Sequence, residues 1–267
     1  EILHVIHNAC SHNSSAKAAV DIALYNLYAQ DSHQSLYSFL GGNSSSVETY
    51  ITISLNAPEV MAKDAQAAYH NGFNLLKIKV GSDDGNDLTR ILHVKQSVPD
   101  AKIIIDANQA WSYTQSIALI KALKDVEIEA IEQPVVAGDI ESLKAITAFS
   151  HIPIIADEAV FTLKDAQKII QNSMADVINV KLMKCGGISK AIEILSLCEK
   201  HHVPCMLGSM LEGAKSIEAA LHLAMVYSNT VKYADLDSPI LYDTVPRYSN
   251  VGYRENILLL NLEDNKV

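Results

Sequence analysis

The chain has 267 residues, enough for one large domain or a barrel with an appendage, and its composition is that of an ordinary folded protein. Its formal net charge of −10 argues against nucleic acid or an anionic membrane as the main partner, and no apolar stretch reaches the roughly 20 residues of a membrane span. The four cysteines form no C-x-x-C pair and no evident disulfide framework, which favours a reducing cytoplasm.

The first 46 residues do not fit the repeat that follows them. Ser14 or Ser15 is expected to cap a helix that continues to about Ala29, and a polar, glycine-rich connector follows. This helix has an apolar stripe, which an isolated helix must bury. We therefore expect it to pack on the rest of the chain or to belong to another small domain.

From about residue 50 the sequence alternates between short β-branched runs and longer stretches with helical spacing. Such alternation predicts βαβ units and a parallel sheet. The predicted strands are 50–55, 75–80, 102–107, 128–133, 152–158, 177–182, 203–209 and 231–237. The predicted helices are 58–71, 84–97, 114–124, 139–149, 162–172, 188–201 and 213–227.

Eight strands at this spacing predict an α/β fold with a closed (β/α)8 barrel of the TIM type. The alternative is an open, doubly wound sheet. That fold normally has fewer strands and a glycine-rich phosphate turn after the first one. No strand end here has the G-x-G-x-x-G pattern, so the barrel is favoured.

Three carboxylates occur at the same point of three successive strands. Asp106 ends KIIID, Glu132 ends IEAIE and Asp157 follows IPIIA, with gaps of 26 and 25 residues. A lone acid at a strand end is usually a helix cap or a solvated loop residue. Three at matched spacing would meet at one end of the barrel, where they would repel one another without cations. The pattern therefore predicts a site for a divalent metal ion.

Lysines flank these acids in the predicted ring. Lys77 and Lys79 lie on strand 2 and share one side of it, whereas Lys181 ends strand 6, on the opposite side of an eight-membered ring. Strand 8 lies opposite strand 4, so Asp235 and Asp237 would face the metal across the cavity. Ser209, at the end of strand 7, is a weaker candidate, because small residues are common at strand ends.

This arrangement suits removal of a proton next to a carboxylate. The metal would act as a Lewis acid while an enediolate forms. A lysine base must lose its proton near pH 7, far below its ordinary pKa of about 10.4, and a neighbouring cation such as Lys77 favours that loss. Two bases on opposite faces would allow one to remove the proton and the other to return it. Two acids at the far end suit a cationic group such as an ammonium.

At these residues the chain resembles the enolase superfamily, muconate-lactonizing subgroup. The matching motifs are KIKVG, IDANQAW, IEQPV, ADEAVF, VINVKLMKCGGI, GSMLE and DLD, and they cover residues 75–239. The resemblance implies that Lys79 and Lys181 are the two catalytic bases and that Lys77 is the first lysine of the K-x-K pair. It also implies that Asp106, Glu132 and Asp157 bind one Mg²⁺ per active site.

Within the subgroup, the motifs GSMLE and D-x-D are most similar to those of dipeptide epimerases of the L-Ala-D/L-Glu type. Asp235 and Asp237 would then hold the α-ammonium of a dipeptide, with Ser209 and Met210 also in the substrate site. The expected reaction is Mg²⁺-dependent epimerisation at the α-carbon of the C-terminal residue. The family also tends to form homo-oligomers, so the resemblance implies a possible homo-oligomer.

The resemblance also implies a domain division. Residues 1–48 resemble only the last helices and the linker of the family's N-terminal α+β capping domain, so the chain is expected to begin inside that domain. Residues 49–240 are predicted to be the catalytic barrel. Residues 241–267 are predicted to pack on the barrel or on the cap. Exclusion of water from the site depends on such a cap.

Other functions remain open from the sequence. The same metal and lysines serve cycloisomerases, o-succinylbenzoate synthases and N-acylamino acid racemases, whose substrates lack a free ammonium. A Schiff-base aldolase could use Lys181 as a nucleophile, but that leaves the three acids unexplained. A non-catalytic remnant without its lid is a further alternative, against which the presence of all three acids and both lysines argues.

Overall fold

The computed structural model describes residues 1–42, 46–242 and 251–260. Eight strands, β2 to β9, form one parallel sheet in chain order, and at least one helix follows every strand from β2 to β8. This is the order of a TIM-like (β/α)8 barrel, and the fold prediction is confirmed. The eight strands are β2 Ile51–Ile53, β3 Leu75–Lys79, β4 Lys102–Asp106, β5 Ala130–Glu132, β6 Ile154–Ala156, β7 Val177–Lys181, β8 Cys205–Gly208 and β9 Val231–Asp235.

The helices between these strands also agree with the predicted segments. They are α4 Pro58–His70, α5 Asp87–Ser97, α6 Tyr113–Ala122, α7 Ile140–Phe149, α8 Leu163–Gln171, α10 Ile188–Lys200 and α11 Ala214–Val226. The sequence did not predict α9, a single turn at Leu182–Cys185, or the 3-10 helix at Ser238–Leu241. Segments this short have no hydrophobic period that a sequence pattern could detect.

Capping hydrogen bonds begin two of the barrel helices, whereas the predicted cap at Ser14 or Ser15 was wrong. Ser112 begins α6 with a capping box, in which its hydroxyl accepts from the backbone of Gln115 and the Gln115 side chain accepts from the backbone of Ser112. Thr162 accepts a hydrogen bond from the backbone of Asp165 in the same way at α8. The helix Ser14–Asp31 begins differently. Its N-cap is Asn13, which has a left-handed backbone and makes no capping hydrogen bond through its side chain.

Contacts between residues divide the chain into two compact units. The first unit described here comprises residues 50–160 and 167–179. Its strands β3 and β4 consist almost wholly of buried residues, and α4, which packs on α5, contacts the neighbouring strand β2. The continuous apolar runs in these strands reflect burial on both faces, as expected of a parallel sheet.

The second unit comprises residues 1–49, 161–166 and the chain from Val180 onward. It contains the helices α1 Ile2–Asn8, α2 Ser14–Asp31 and α3 Leu36–Phe39, together with a three-stranded antiparallel sheet. In that sheet β11 Ile257–Leu260 lies between β1 Ser46–Glu48 and β10 Val251–Arg254. The C-terminal segment thus pairs with the end of the N-terminal region, although 243–250 and 261–267 of the predicted 241–267 segment lie outside the described residues.

Cys10, Cys185, Cys198 and Cys205 are free thiols. Burial raises the pKa of Cys185 to about 12, so this thiol stays protonated at neutral pH. Within the described part of the chain, no helix is both long and apolar enough to cross a membrane.

His222 makes the stability of the second unit depend on pH. It lies on α11, is 3% exposed, and stacks on Tyr37 of α3 at 6.4 Å between ring centroids. Burial lowers the pKa of His222 from its ordinary value of 6.5 to about 4. The folded state binds a proton at His222 less well than the unfolded state does. The contribution of the neutral His222 to stability is therefore fully present above pH 6.5 and is lost as the pH falls toward 4. The expected loss is about 3 kcal/mol of unfolding free energy.

Urea unfolding followed by circular dichroism across this pH range measures the effect. His222→Gln should make the free energy of unfolding less dependent on pH, whereas His151→Gln, at an exposed position, should leave the dependence of the parent chain unchanged. A variant curve parallel to that of the parent between pH 4 and 6.5 would show that His222 is not the titrating group.

Candidate active site

Three carboxylates lie at the carboxyl ends of three neighbouring strands. Asp106 is the last residue of β4, Glu132 is the last of β5, and the two are register partners in this strand pair. Asp157 follows β6 directly. The exposed fractions are 0% for Asp106, 0% for Glu132 and 2% for Asp157. The structure therefore brings together the three acids that the sequence predicted as metal ligands, in a setting where their charges need cations.

Two lysines from β3 supply positive charge to these acids. Lys77 Nζ lies 3.0 Å from Asp106 Oδ2 and 2.6 Å from Glu132 Oε2, so one ammonium joins two carboxylates. Lys79 Nζ donates to Asp106 Oδ2 at 2.6 Å and to Asn108 Oδ1 at 2.9 Å. The two side chains differ in access, because that of Lys77 is 1% exposed and that of Lys79 is 29% exposed. Lys77 therefore acts as a buried counter-ion, whereas Lys79 can meet a ligand.

The ionisation of Asp106 reflects this balance of charges. Burial raises its pKa, but the charges of Lys77 and Lys79 and the hydrogen bond from Lys79 outweigh burial, so the pKa lies below its ordinary value. Asp157 acts in the opposite sense, because its negative charge raises the pKa of Asp106. The third acid thus lies close enough to repel the first.

The donor set fits a magnesium ion in its chemistry. Carboxylate oxygens are ligands that Mg²⁺ prefers, and three acids against two ammonium groups leave negative charge for a cation to neutralise. Over residues 1–42, 46–242 and 251–260, however, no group of three His, Cys, Asp or Glu side chains is already arranged as a metal site. Lysine ammonium groups contact the oxygens that a metal would use, so metal binding requires these side chains to share or yield them.

Two amide side chains that the sequence analysis missed hold the acids in place. Asn179 Nδ2 donates to Glu132 Oε1 at 2.7 Å, and both residues are fully buried. Gln133 Oε1 accepts from the backbone N–H groups of Asp157 at 2.9 Å and Ala159 at 3.1 Å. The available signal was the presence of polar residues inside apolar strands, as in VINVK and AIEQP, since a buried amide must find partners.

Lys181 belongs to the second unit. It is the last residue of β7 and is 6% exposed. Burial raises the pKa of Glu212, while the charge of Lys181 lowers it and that of Asp235 raises it, so these three groups are electrostatic neighbours. Glu212 also accepts hydrogen bonds from the backbone of Met210 and the hydroxyl of Ser216. Glu212 belongs to the GSMLE motif, which the sequence analysis matched to dipeptide epimerases.

The four residues predicted to bind substrate have different surroundings in this unit. Asp235 ends β9 and Asp237 precedes the 3-10 helix, and both are buried, with exposed fractions of 5% and 4%. Ser209 donates through its hydroxyl to the backbone oxygen of Asp235 at 3.0 Å, which ties the ends of β8 and β9 together. Met210 is 53% exposed. The structure therefore makes Ser209 a support for Asp235 and leaves Met210 accessible.

Comparison with known proteins identifies the family. Residues 60–252 match the family described as enolase C-terminal domain-like. The chain belongs to this family. The resemblance inferred from the sequence motifs is thereby confirmed.

Three of the proteins to which this enolase-like chain is similar are named as epimerases. An L-amino acid-D/L-Glu epimerase of Sulfurimonas denitrificans is 49% identical over 248 residues, which cover 92% of this chain and 73% of that protein. The substrate-liganded L-Ala-D/L-Glu epimerase of Bacillus subtilis superposes with a TM-score of 0.94 at 40% identity, covering 97% of this chain and 73% of that one. A dipeptide epimerase of Enterococcus faecalis V583, solved with Mg and L-Leu-L-Tyr, superposes with a TM-score of 0.89 at 38% identity. The match covers 97% of this chain and 75% of that one.

Proposed function

We propose that this chain catalyses the Mg²⁺-dependent epimerisation of a dipeptide, of the Ala-Glu type, at the α-carbon of its C-terminal residue. The relatives named as dipeptide epimerases support the reaction class, and the relative solved with Mg and a dipeptide supports the cofactor and the substrate class. A cycloisomerase, an o-succinylbenzoate synthase and an N-acylamino acid racemase are the alternatives within the same subgroup.

The observation that carries the proposal is the position of Lys79. Its ammonium lies beside the buried carboxylate cluster, in contact with Asp106, yet its side chain is partly exposed. A base must reach both the substrate and the place where the substrate carboxylate is held. Lys77, buried between Asp106 and Glu132, has no such access and is proposed to hold these two acids together.

Lys181 is the proposed second base. It is a buried lysine at a strand end, near the carboxylates of Glu212 and Asp235. In the proposed reaction one lysine takes the α-proton and the other returns a proton from the opposite face, which inverts the carbon. Both proton transfers are general acid–base steps, each of which typically contributes about 10²–10⁴ to a rate.

Substrate binding is proposed to use opposite charges at its two ends. Asp106, Glu132 and Asp157 would hold one Mg²⁺, and when bound this ion would serve as a Lewis acid that stabilises negative charge developing on the substrate carboxylate. Asp235 and Asp237, both buried, would accept hydrogen bonds from the α-ammonium of the dipeptide. Ser209 and Met210 would border that end of the site.

We also propose the domain division predicted from the sequence, with residues 1–48 as the last helices and the linker of a capping domain, 49–240 as the barrel and 241–267 as a segment that packs on the barrel or the cap. The pairing of β1 with β11 supports this division, because it joins the N-terminal region to the C-terminal segment rather than to the barrel strands.

The proposal predicts α-proton exchange from L-Ala-L-Glu into D₂O in the presence of Mg²⁺, followed by proton NMR. Removal of the metal with EDTA should reduce the rate about a thousandfold, since several kcal/mol of charge stabilisation is lost. Added Mg²⁺ should restore it. Exchange that continues unchanged in EDTA would contradict the metal's role.

The N-acetylated form of the same dipeptide is the matched control substrate. It lacks the ammonium and so loses its charge-assisted hydrogen bonds to Asp235 and Asp237, which are together worth several kcal/mol. If the N-acetylated dipeptide exchanges faster than the free one, the N-acylamino acid racemase alternative is the better description.

A further inference from the structure

Asp21 is a buried carboxylate on the partly exposed helix α2. Half of the residues of α2 are exposed, but Asp21 is 0% exposed. A carboxylate out of contact with water is destabilising unless charge-assisted hydrogen bonds surround it. Asp21 belongs to none of the groups assigned to the proposed reaction, so its burial needs another reason.

Asp21 is held by two segments of the same unit. Its Oδ1 accepts from the backbone N–H of Ser189 at 3.2 Å, and its Oδ2 accepts from the Ser189 hydroxyl and from His7 Nε2 at 3.1 Å. Ser189 is the second residue of α10, whose N-cap is Gly187, a residue without a side chain to cap it. Asp21 thus supplies from another helix the negative charge that the N-terminus of α10 favours.

Asp21 also packs against the turn that leads into α10. Gly186 and Gly187 have φ values of 107° and 119°, and both N–H groups donate to the carbonyl of Leu182, at 2.9 and 3.0 Å. A Cβ atom on Gly187 would lie 2.5 Å from Asp21 Oδ1. Only glycine fits both this backbone conformation and this contact. The carboxylate therefore lies directly on the backbone of the turn.

The turn borders a cavity on one side. The volume of this cavity is about 760 Å³, and His7, Lys184 and Gly186 are among the residues that line the space. Leu182, which accepts both hydrogen bonds of the turn, comes directly after Lys181 at the end of β7. A shift of the turn would therefore be transmitted through α9 to the backbone that carries Lys181.

We propose that Asp21 is a positioning residue for Lys181, acting through the Gly186–Gly187 turn. This proposal rests on the role of Lys181 in the proposed function. The helix α2 would then help to position one of the two proposed bases. No such role is assigned for Lys79, which lies on β3 in the other unit.

The test is Asp21→Asn, which keeps the shape of the side chain and removes its charge. The isomer whose α-proton Lys181 removes is defined as the one whose exchange Lys181→Ala abolishes. Exchange from that isomer should slow about tenfold in Asp21→Asn, as expected for a small misplacement of a catalytic group. Exchange from the other isomer, and Mg²⁺ affinity by calorimetry, should stay unchanged. Asp31→Asn, at an exposed site on the same helix, is the matched control.

Equal slowing of both isomers, or no slowing, would overturn the proposal, because a merely structural defect does not select one isomer. If Asp21→Asn does not fold, Ser189→Ala removes one of the hydrogen bonds to Asp21, together with the contact between the Ser189 hydroxyl and His7 Nε2, and should show the same selectivity with a smaller effect. If the parent chain exchanges neither isomer, the proposed function fails separately. Amide hydrogen exchange at Gly186 and Gly187 then tests whether Asp21 holds the turn. The exchange rates should rise in Asp21→Asn, and unchanged rates would show that Asp21 does not hold it.

Discussion

Lys181→Ala is expected to abolish exchange of the α-proton from one stereoisomer of the dipeptide while exchange from the other continues. Lys79→Ala should have the mirror-image effect. Each lysine is proposed to serve one face of the same carbon, so removing one base stops proton abstraction from one isomer only. The loss should be about 10²–10⁴-fold for the affected isomer, the usual contribution of a general base.

Exchange into D₂O measured separately for the L,L and L,D isomers checks this prediction. Net epimerisation should be lost in both variants, because inversion needs both bases. Lys190→Ala is a suitable control, since Lys190 lies on α10 and forms an ion pair with Glu193 at 2.7 Å. If one substitution slows both isomers equally and the other slows neither, the two-base mechanism is wrong.

Lys77→Met is expected to destabilise the fold and to make it dependent on added metal. The Lys77 ammonium contacts Asp106 and Glu132, and both carboxylates are 0% exposed. Removing one partner of a buried ion pair typically costs about 3–5 kcal/mol, because the remaining charges stay out of water. For a chain of this size the melting temperature should fall by about 10 °C.

Magnesium should restore part of this loss. A cation bound by the same carboxylates replaces the missing charge, and at about 100 times its Kd it adds about 2.7 kcal/mol. Thermal melts with MgCl₂, and with KCl at equal ionic strength, separate binding from screening. Lys63→Met, at an exposed position on α4, should change stability by no more than about 0.5 kcal/mol. A Lys77→Met chain as stable as its parent, or equal effects of the two salts, would contradict this account.

The strand–helix alternation and the strand-end acids were readable from the sequence for a local reason. Buried parallel strands require apolar runs such as the one in KIIID, and helices require apolar residues at helical spacing. The local sequence of each element therefore predicts its type. The regular gaps between Asp106, Glu132 and Asp157 followed from the same repeat. Their convergence could therefore be predicted from order alone.

Other features depend on contacts between residues far apart in the chain. The pairing of β1 with β11 joins the N-terminal region to the C-terminal segment, and α1 packs beside α2. Short strands and short helices have weak patterns, and only their partners decide whether they form. The same holds for Asn179, whose role follows from its hydrogen bond to Glu132 rather than from its own neighbours in the sequence.

The sequence by itself determined the barrel, the family and the set of acids and lysines at the strand ends, because strand periodicity and spacing are local properties. Only the tertiary structure decided how the charges are shared. It placed Lys77 between Asp106 and Glu132, left Lys79 partly exposed, and buried Asp21 against the Gly186–Gly187 turn. Burial and pairing of charges depend on packing between distant segments, and the strength of a charge interaction depends on how much water that packing removes.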